Sequence, residues 1–289
     1  MATKKQTTSP TTVIPQFSEV FMERDPYDDK SYDSVDAARF KISKENVGTA
    51  SLKYADGNVK ILDANARVIF LYRSPVVSCS AKDKVTGDDV CYSNNTNGYA
   101  SSGYLCRTEC PYSDKERFKK TLKKKVYLLI QNKPGEKFEL AIYRASYGTI
   151  KNLEQGLSEL RKRFASTGLR SIIDGIFGIS VHAPKASWDA SVSLPSFNIA
   201  NTELLETATG DLANAIHELW DNIKDFDERA TADRLESAKR FAELKRSTEI
   251  QNKPAEEHRV AQPQPAAPAQ PEASTPTPPA GPDDDDLPF

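Results

Sequence analysis

The sequence is poor in the residues and motifs that most often carry out catalysis. It holds only three histidines, His182, His217 and His258. It also lacks the G-x-x-x-x-G-K-[ST] loop of P-loop proteins, the H-E-x-x-H motif of zinc proteases and the G-x-S-x-G motif of serine hydrolases. We therefore expect a binding protein rather than an enzyme, with no catalytic residues.

Long apolar segments are missing as well. No stretch approaches the ~20 apolar residues that a transmembrane helix needs. The N-terminal lysines Lys4 and Lys5 are not followed by the apolar core of a secretory signal. These absences predict a cytoplasmic protein. In that reducing compartment we do not expect the four cysteines to form structural disulfides.

Charge is distributed unevenly along the chain. From Gln251 onward, two basic and seven acidic residues give a net charge of -5, so the preceding residues carry +3 of the total of -2. A basic body joined to an acidic tail indicates that the body contacts nucleic acid and that the tail has a separate role.

Composition divides the chain into four parts. Residues 1–16, rich in Thr, Ser, Lys and Pro, are predicted to be a disordered arm, and residues 17–248 a folded domain. Residues 249–282 are dominated by Pro, Ala, Gln and Glu, which predicts a disordered linker. Residues 283–289 form an acidic tip.

The folded part alternates between strand-like and helix-like patterns. Segments rich in β-branched and aromatic residues predict strands at 66–73, 126–131, 138–144, 172–181 and 188–199. A turn at 132–135 joins the second and third of these into a hairpin. Apolar residues at helical spacing predict two helices. The stripe of the first is Ile150, Leu153, Leu157, Leu160 and Phe164. The second runs from Asp211 to about Ser247, and its stripe is Leu212, Ile216, Leu219, Ile223 and Phe226. The predicted class is α+β.

All the cysteines lie in the polar segment 74–125, which we interpret as an insertion. They are Cys79, Cys91, Cys106 and Cys110, with the spacing C-x11-C-x14-C-x3-C. Four thiolates suit tetrahedral zinc, and a metal would order a segment that can bury little apolar area of its own. The alternative is four unrelated free thiols, because a C-x2-C pair is absent. We predict zinc in a structural role, since four cysteine ligands leave no open position for catalysis.

A basic run follows the cysteines and leads into strands that carry aromatic residues. The run comprises Lys115, Arg117, Lys119, Lys120, Lys123, Lys124 and Lys125, and the flanking strands add Tyr72, Arg73, Tyr127, Tyr143, Arg144 and Tyr147. Proteins that bind single strands combine a positive groove with rings on which bases stack. We therefore predict that these residues contact DNA. The alternative is a solvated lysine face with tyrosines packed in the core.

The C-terminal tip is the most specific motif in the sequence. It consists of Asp283, Asp284, Asp285, Asp286, Leu287, Pro288 and Phe289. An aromatic ring beside a free carboxylate can fill an apolar pocket while the carboxylate pairs with a basic residue at its rim. The aspartates add long-range attraction to basic partners. We predict that the tip recruits a partner protein.

The tip resembles the terminal motif of bacterial single-stranded DNA-binding proteins, which usually ends Asp-Asp-Asp-Ile-Pro-Phe, with Leu287 in place of the isoleucine. The Pro-rich and Gln-rich linker before it is also similar to that family's layout. The resemblance implies a β-barrel core of oligonucleotide-binding (OB) type and a tip that docks on replication and repair enzymes. The body looks more like divergent bacteriophage members, some of which carry zinc in the DNA-binding core.

The sequence thus predicts a protein that coats single-stranded DNA without sequence preference in replication, recombination and repair, and recruits enzymes through its tip. Two alternatives stay open. One is an adaptor that uses the tip to compete for a repair enzyme, and the other is a mediator that anneals complementary strands. Binding of oligonucleotides separates coating from the adaptor, and annealing rates separate it from the mediator.

Overall fold

A computed structural model describes residues 13–23, 34–42, 49–146, 154, 157–162, 172–182, 194–204 and 210–251, without the side chains of 180–182, 194–204 and 249–251. The strands are β1 (Phe21–Met22), β2 (Ser34–Val35), β3 (Ala38–Ile42), β4 (Ala50–Lys53), β5 (Val59–Ile61), β6 (Arg67–Asp83), β7 (Asp89–Ser93), β8 (Phe118–Gln131), β9 (Glu139–Ser146), β10 (Gly175–His182) and β11 (Leu194–Leu204). The helices are α1 (Phe17–Val20) and α2 (Gly210–Gln251), with a 3-10 turn at Ile172–Asp174 and helical residues at 157–162.

Nine of the strands form one sheet. Its order is β11-β10-β6-β8-β9-β3-β4-β5, with β7 also paired to β6. All neighbours are antiparallel except β3 and β9. The sheet curls into a half-barrel, and the predicted α+β class is confirmed. Its end strands, β11 and β5, are not paired with each other among the described residues.

Strands β6 and β8, which pair as one long hairpin, are much longer than the strands predicted at 66–73 and 126–131. Their pairing runs from Arg67 opposite Gln131 to Asp83 opposite Phe118. Residues 74–83 and 118–125 therefore belong to strands of the main sheet, and the predicted bounds of the insertion, 74–125, were wrong. Residues 84–117, which include β7, lie between these two strands.

A bulge bends this hairpin near its middle. The pairing shifts between Arg73 and Val77, and Pro75, which has no N–H to donate to a neighbouring strand, lies in the shift. Beyond the bulge, residues 77–83 and 118–124 form what we call the distal hairpin. It projects past the main core.

Side chains alternate between the two faces of the sheet, and both faces carry apolar residues near the centre. Val126, Leu128 and Ile130 of β8 pack on one face with Phe40, Leu157 and Leu160. Tyr127 and Leu129 pack on the other with Ile216, Leu219 and Ile223 of α2. We call the side that α2 covers the helix face and the other side the opposite face.

Helix α2 is anchored by its first half. Ile216, Leu219 and Ile223 are each at most 2% exposed, and burying each contributes roughly 1.5–3 kcal/mol. The predicted apolar stripe of this helix is confirmed. Its second half extends beyond the core toward the distal hairpin.

The N-terminal boundary of the folded part lies before the predicted one. Ile14, which the sequence assigned to a disordered arm, is 2% exposed and belongs to the helix-face core. The backbone N–H of Phe138 donates to the carbonyl of Val13 at 2.8 Å. None of the helices in the described part of the chain is both long and apolar enough to cross a membrane.

Candidate nucleic-acid interface

A cleft of about 400 Å³ opens on the helix face beside the distal hairpin. Hairpin strands form its floor, the loop after β7 forms one wall, and residues 231–241 of α2 form the other. The lining residues with binding chemistry are Tyr92, Asn94, Asn95, Tyr99, Lys123, Lys125, Arg144, Arg234 and Phe241. An adjoining recess shares Tyr92, Lys123 and Arg144 and reaches Asp89. The cleft therefore continues along β7.

The cleft is cationic. Lys123, Lys125, Arg144 and Arg234 line it, and none of its described lining residues is acidic. Among described residues, neither Lys123 nor Arg144 nor Arg234 has an ion-pair partner. Burial lowers the pKa of Lys125, the pairing with Asp227 opposes this shift, and repulsion from Arg234 and Arg144 adds to it. Several cations in one cleft, three of them without an ion-pair partner, favour binding of a polyanion.

Exposed aromatic rings come from two walls of the cleft. Tyr92 on β7 is 44% exposed and Phe241 on α2 is 52% exposed. Tyr99 lies between them in sequence, and the guanidinium of Arg246 sits 5.8 Å from the centre of its ring. Large rings left open to solvent beside unpaired cations are what a single-stranded nucleic acid requires for stacking and phosphate contact.

A buried carboxylate holds the inner end of the cleft together. Asp227 of α2 is 1% exposed. Its Oδ1 accepts hydrogen bonds from the Nζ of Lys125 and, at 2.9 Å, from the hydroxyl of Tyr127. Because this carboxylate neutralises Lys125, the lysine positions α2 against β8 more than it offers charge to a ligand.

The lysine run predicted as one DNA-binding surface is split between the two faces of the sheet. On the helix face lie Lys119, Lys123 and Lys125, and on the opposite face lie Lys120 and Lys124. The Nζ of Lys124 is 3.6 Å from the carboxylate of Glu154. Of the five strand lysines, Lys123 and Lys125 line the cleft.

The remaining predicted cations are placed separately. Lys115 and Arg117 are exposed where the distal hairpin begins its second strand. Arg117 donates to Asp83 at 3.1 Å and its guanidinium lies 5.1 Å from the centre of the Phe118 ring. Arg73 pairs with Glu154 at 3.0 Å. These three cations are not among the residues that line the cleft.

The structure corrects two of the predicted stacking residues. Tyr127 is 1% exposed and Tyr143 is 8% exposed, and Tyr143 packs edge-on against Phe40 with ring centres 5.3 Å apart. Their faces are covered by neighbouring side chains, so neither ring can stack on a base. Tyr72 is half-buried beside Tyr127, and burial raises its pKa to about 12. Tyr147 lies outside the described residues, as do Asp283–Phe289.

The four cysteines lie close together beside β7 and the loop that follows it. Cys79 is opposite Ser93 and Cys91 is opposite Ala81. The thiol of Cys106 shares a hydrogen bond with that of Cys79, and Cys91 and Cys110 lie near enough to act on Cys106 electrostatically. Burial raises the pKa of the Cys79 thiol to about 12. Within the described residues, no group of three or more His, Cys, Asp or Glu side chains has the arrangement of a metal site.

The loop that carries the last two cysteines is fastened to the second half of α2. Lys245 donates to the carbonyl of Ser102 at 2.9 Å, and Arg246 pairs with Glu109 at 3.1 Å. Gly103, with φ +83, turns the chain where a Cβ would lie 3.2 Å from Lys245. These contacts therefore hold the cysteine loop, and with it the cleft wall, against α2.

Several cleft residues were not predicted from the sequence: Tyr92, Asn94, Asn95, Tyr99, Arg234 and Phe241. Two signals pointed to some of them. Tyr92, Tyr99 and Tyr104 are aromatic residues in a polar segment with no core of its own, and Phe241 is a large apolar residue in the charged half of a helix. Neither signal shows that the two segments meet.

Comparison with known proteins gives no further assignment: no family model, no curated protein and no solved structure matches this chain.

Proposed function

We propose that this protein binds single-stranded DNA in the cleft and coats it without sequence preference during replication, recombination or repair in the cytoplasm of a bacterial host. The observation that carries the proposal is the pairing of exposed rings, Tyr92 and Phe241, with the unpaired cations Lys123, Arg144 and Arg234 in one cleft. Stacking accepts any base, so such a site discriminates little between sequences.

The shape of the cleft favours a single strand over a duplex. Its rings come from β7 with the loop that follows it and from α2, on two sides of the floor. A base must be unpaired and turned outward to meet a ring face, whereas a duplex keeps its bases stacked inside. The curled sheet is compatible with an OB-type core, and we propose that this is the fold type of the DNA-binding core.

We propose in addition that the cysteines bind one structural zinc ion. The donor set suits this metal chemically: the thiols of Cys79 and Cys106 share a hydrogen bond, and Cys91 and Cys110 lie near enough to act on Cys106 electrostatically. The residues that would hold it are Cys79, Cys91, Cys106 and Cys110. Zinc would supply no chemistry beyond holding these thiolates together, and Cys91 and Cys106 bracket the cleft wall between them.

The C-terminal tip supplies the second half of the proposed function. Four aspartates followed by Leu287, Pro288 and Phe289 form a ligand for an apolar pocket with a basic rim. We propose that the tip recruits replication, recombination or repair enzymes to the coated strand. A long linker, residues 252–282, separates the tip from the end of α2.

The test is the affinity of ring variants for a fluorescent oligo-dT strand. Each of Tyr92→Ala and Phe241→Ala should weaken binding by about 5- to 150-fold, because a stacked base contributes roughly 1–3 kcal/mol. Tyr104→Ala is the matched control, since Tyr104 is 40% exposed on the same loop but does not line the cleft. It should bind within about twofold of the wild type, less than one stacked base contributes.

Thermal unfolding of each variant establishes that it is folded before binding is measured. Folded Tyr92→Ala and Phe241→Ala proteins that bind oligo-dT as tightly as the wild type would contradict the assignment of the cleft. A wild-type protein that ignores oligo-dT at low salt would contradict the function itself.

A further inference from the structure

The cations of the cleft have neighbours on the same face of the sheet, farther from α2. The side chains of β3 and β4 alternate strictly: Ala38, Phe40, Ala50 and Leu52 are buried in the opposite-face core. The intervening residues Arg39, Lys41 and Lys53 therefore point to the helix face. We call these three residues the basic strip.

Sheet register joins the basic strip to the cleft. Lys125 is opposite Arg144 on β9. On the far side of β9, Arg39 is aligned with Ile142 and Phe40 with Tyr143, which brings Lys41 next to Arg144. Lys41 and Arg39 then pair with Ser51 and Lys53 of β4. Cations thus follow one another on four adjacent strands.

The distances suit an extended chain. Adjacent strands lie ~4.8 Å apart, so the three spacings from β8 to β4 cover about 14 Å. Because Arg144 of β9 lines the cleft, a strand leaving the cleft at this residue meets Lys41 first and Lys53 last. The order of the strands in the sheet fixes this direction of the path.

The charges of the basic strip are not used within the described protein. Among described residues, Arg39, Lys41 and Lys53 form no ion pair. The acidic neighbour Glu139 projects from the opposite face, where it accepts a hydrogen bond from Lys60 at 2.7 Å. Beyond the strip, the edge strand β5 exposes Val59 (58%) and Ile61 (66%) on the same face.

We infer that the basic strip is a second part of the DNA-binding surface, along which the phosphates of a single strand run after leaving the cleft at Arg144. The inference rests on the proposed function and extends it, because it assigns phosphate contacts to three residues far from the cleft in sequence. It also assigns the path of the strand across the sheet from β8 through β9 and β3 to β4. Val59 and Ile61 then offer apolar surface to the bases at its end.

The experiment compares the salt dependence of binding between two triple variants. The strip variant is Arg39→Gln/Lys41→Gln/Lys53→Gln. The control variant, Lys133→Gln/Arg161→Gln/Lys162→Gln, removes the same charges from exposed positions that belong neither to the cleft lining nor to the basic strip, two of them on the helical segment 157–162. Both variants therefore carry equal net charge.

Each phosphate contact contributes about 0.7 to the slope of log Kobs against log salt for single strands. The strip variant should lose about 2 from that slope on an oligo-dT of about 15 nucleotides, near the upper end of the range for one binding domain. The control variant should keep the wild-type slope. On an oligo of about 4 nucleotides, enough for the cleft alone, the strip variant should bind as the wild type does.

Two outcomes separate failure of this inference from failure of the proposed function. If the wild type binds the long oligo but the strip variant keeps its full slope, the strip is not a DNA contact and the cleft assignment stands. If the wild type binds neither oligo, the proposed function fails and the inference fails with it. A strip variant that weakens the short and long oligos equally also overturns the path described here.

Discussion

Replacing Asp227 by Asn removes one negative charge from a buried contact without changing its shape. The carboxylate is 1% exposed and bonds to both Lys125 and Tyr127. Breaking a fully buried pair by neutralising one partner costs about 3–5 kcal/mol. The side chain of Lys125 remains 23% exposed, so water recovers part of its solvation and the expected loss is about 2–3 kcal/mol.

The assay for this prediction is thermal or urea unfolding of Asp227→Asn beside two companion variants. For a domain of this size the loss corresponds to a fall in Tm of about 4–12 °C. Tyr127→Phe removes the hydroxyl that donates to Asp227 and accepts from Lys125 but leaves no buried charge unpaired, so it should cost less, about 1–2 kcal/mol. Adding Lys125→Met to Asp227→Asn should restore stability, because it removes the charge that the first substitution leaves unpaired. An Asp227→Asn protein within 0.5 kcal/mol of the wild type, below the typical cost of a buried hydrogen bond, would refute the reasoning.

Four further predictions follow from other parts of the molecule. Gly103→Ala should lower the free energy of unfolding by about 1–2 kcal/mol, since it places a Cβ at φ +83 against Lys245, and urea unfolding measures this. The pKa of Tyr72 is raised from 10.0 to about 12, so the contribution of this tyrosine to the free energy of unfolding is complete below pH 10 and is lost as the pH rises toward 12. The free energy of unfolding of Tyr72→Phe should therefore depend less steeply on pH in that window. Metal analysis should find one zinc per chain in the wild type and markedly less in Cys106→Ser. This variant should also bind oligo-dT more weakly, because the cleft wall is then free to move. Equal zinc in both proteins would contradict the proposed ligand set. Deleting residues 283–289 removes four aspartates and should tighten oligo-dT binding at low salt but not at high salt, as measured by fluorescence anisotropy.

The sequence predicts the parts of the fold that are buried. The first half of β6, the second half of β8, and β9 alternate or run apolar because both faces of the sheet are covered there, and the stripe of α2 is regular because that helix packs on a core. The distal hairpin was missed for the opposite reason. Of its residues, 77–83 and 118–124, only Cys79, Ala81 and Asp83 are buried and the others are half-buried or exposed, so burial selects only weakly for an apolar pattern.

Strands β3 and β4 carried a signal that their short length concealed. Ala38-Arg-Phe-Lys-Ile42 alternates as a half-buried strand should, but five residues of alternation are easily read as a polar loop. The pairing of β3 with β9 depends on long-range contacts that periodicity does not report. The basic strip is therefore visible only once the register of the sheet is known.

The cleft was predicted only in part because it is assembled from distant segments. Lys123, Lys125 and Arg144 belong to a basic run that the sequence makes obvious. Tyr92 and Phe241 lie in segments without a shared pattern and meet only because α2 extends past its core onto the cysteine loop. Sequence alone also overestimates how many tyrosines of the central strands can stack on bases, since a strand tyrosine near the core is usually covered by its neighbours.

The most direct test of single-strand binding in the cleft is a salt titration of the zinc-loaded 289-residue chain with a fluorescent oligo-dT strand, and with a duplex of equal length as competitor. We expect tight binding at low salt, a steep decrease of log Kobs with log salt, and little displacement by duplex. Absence of binding at low salt by folded protein, or equal displacement by duplex, would show that the cleft does not hold a single strand.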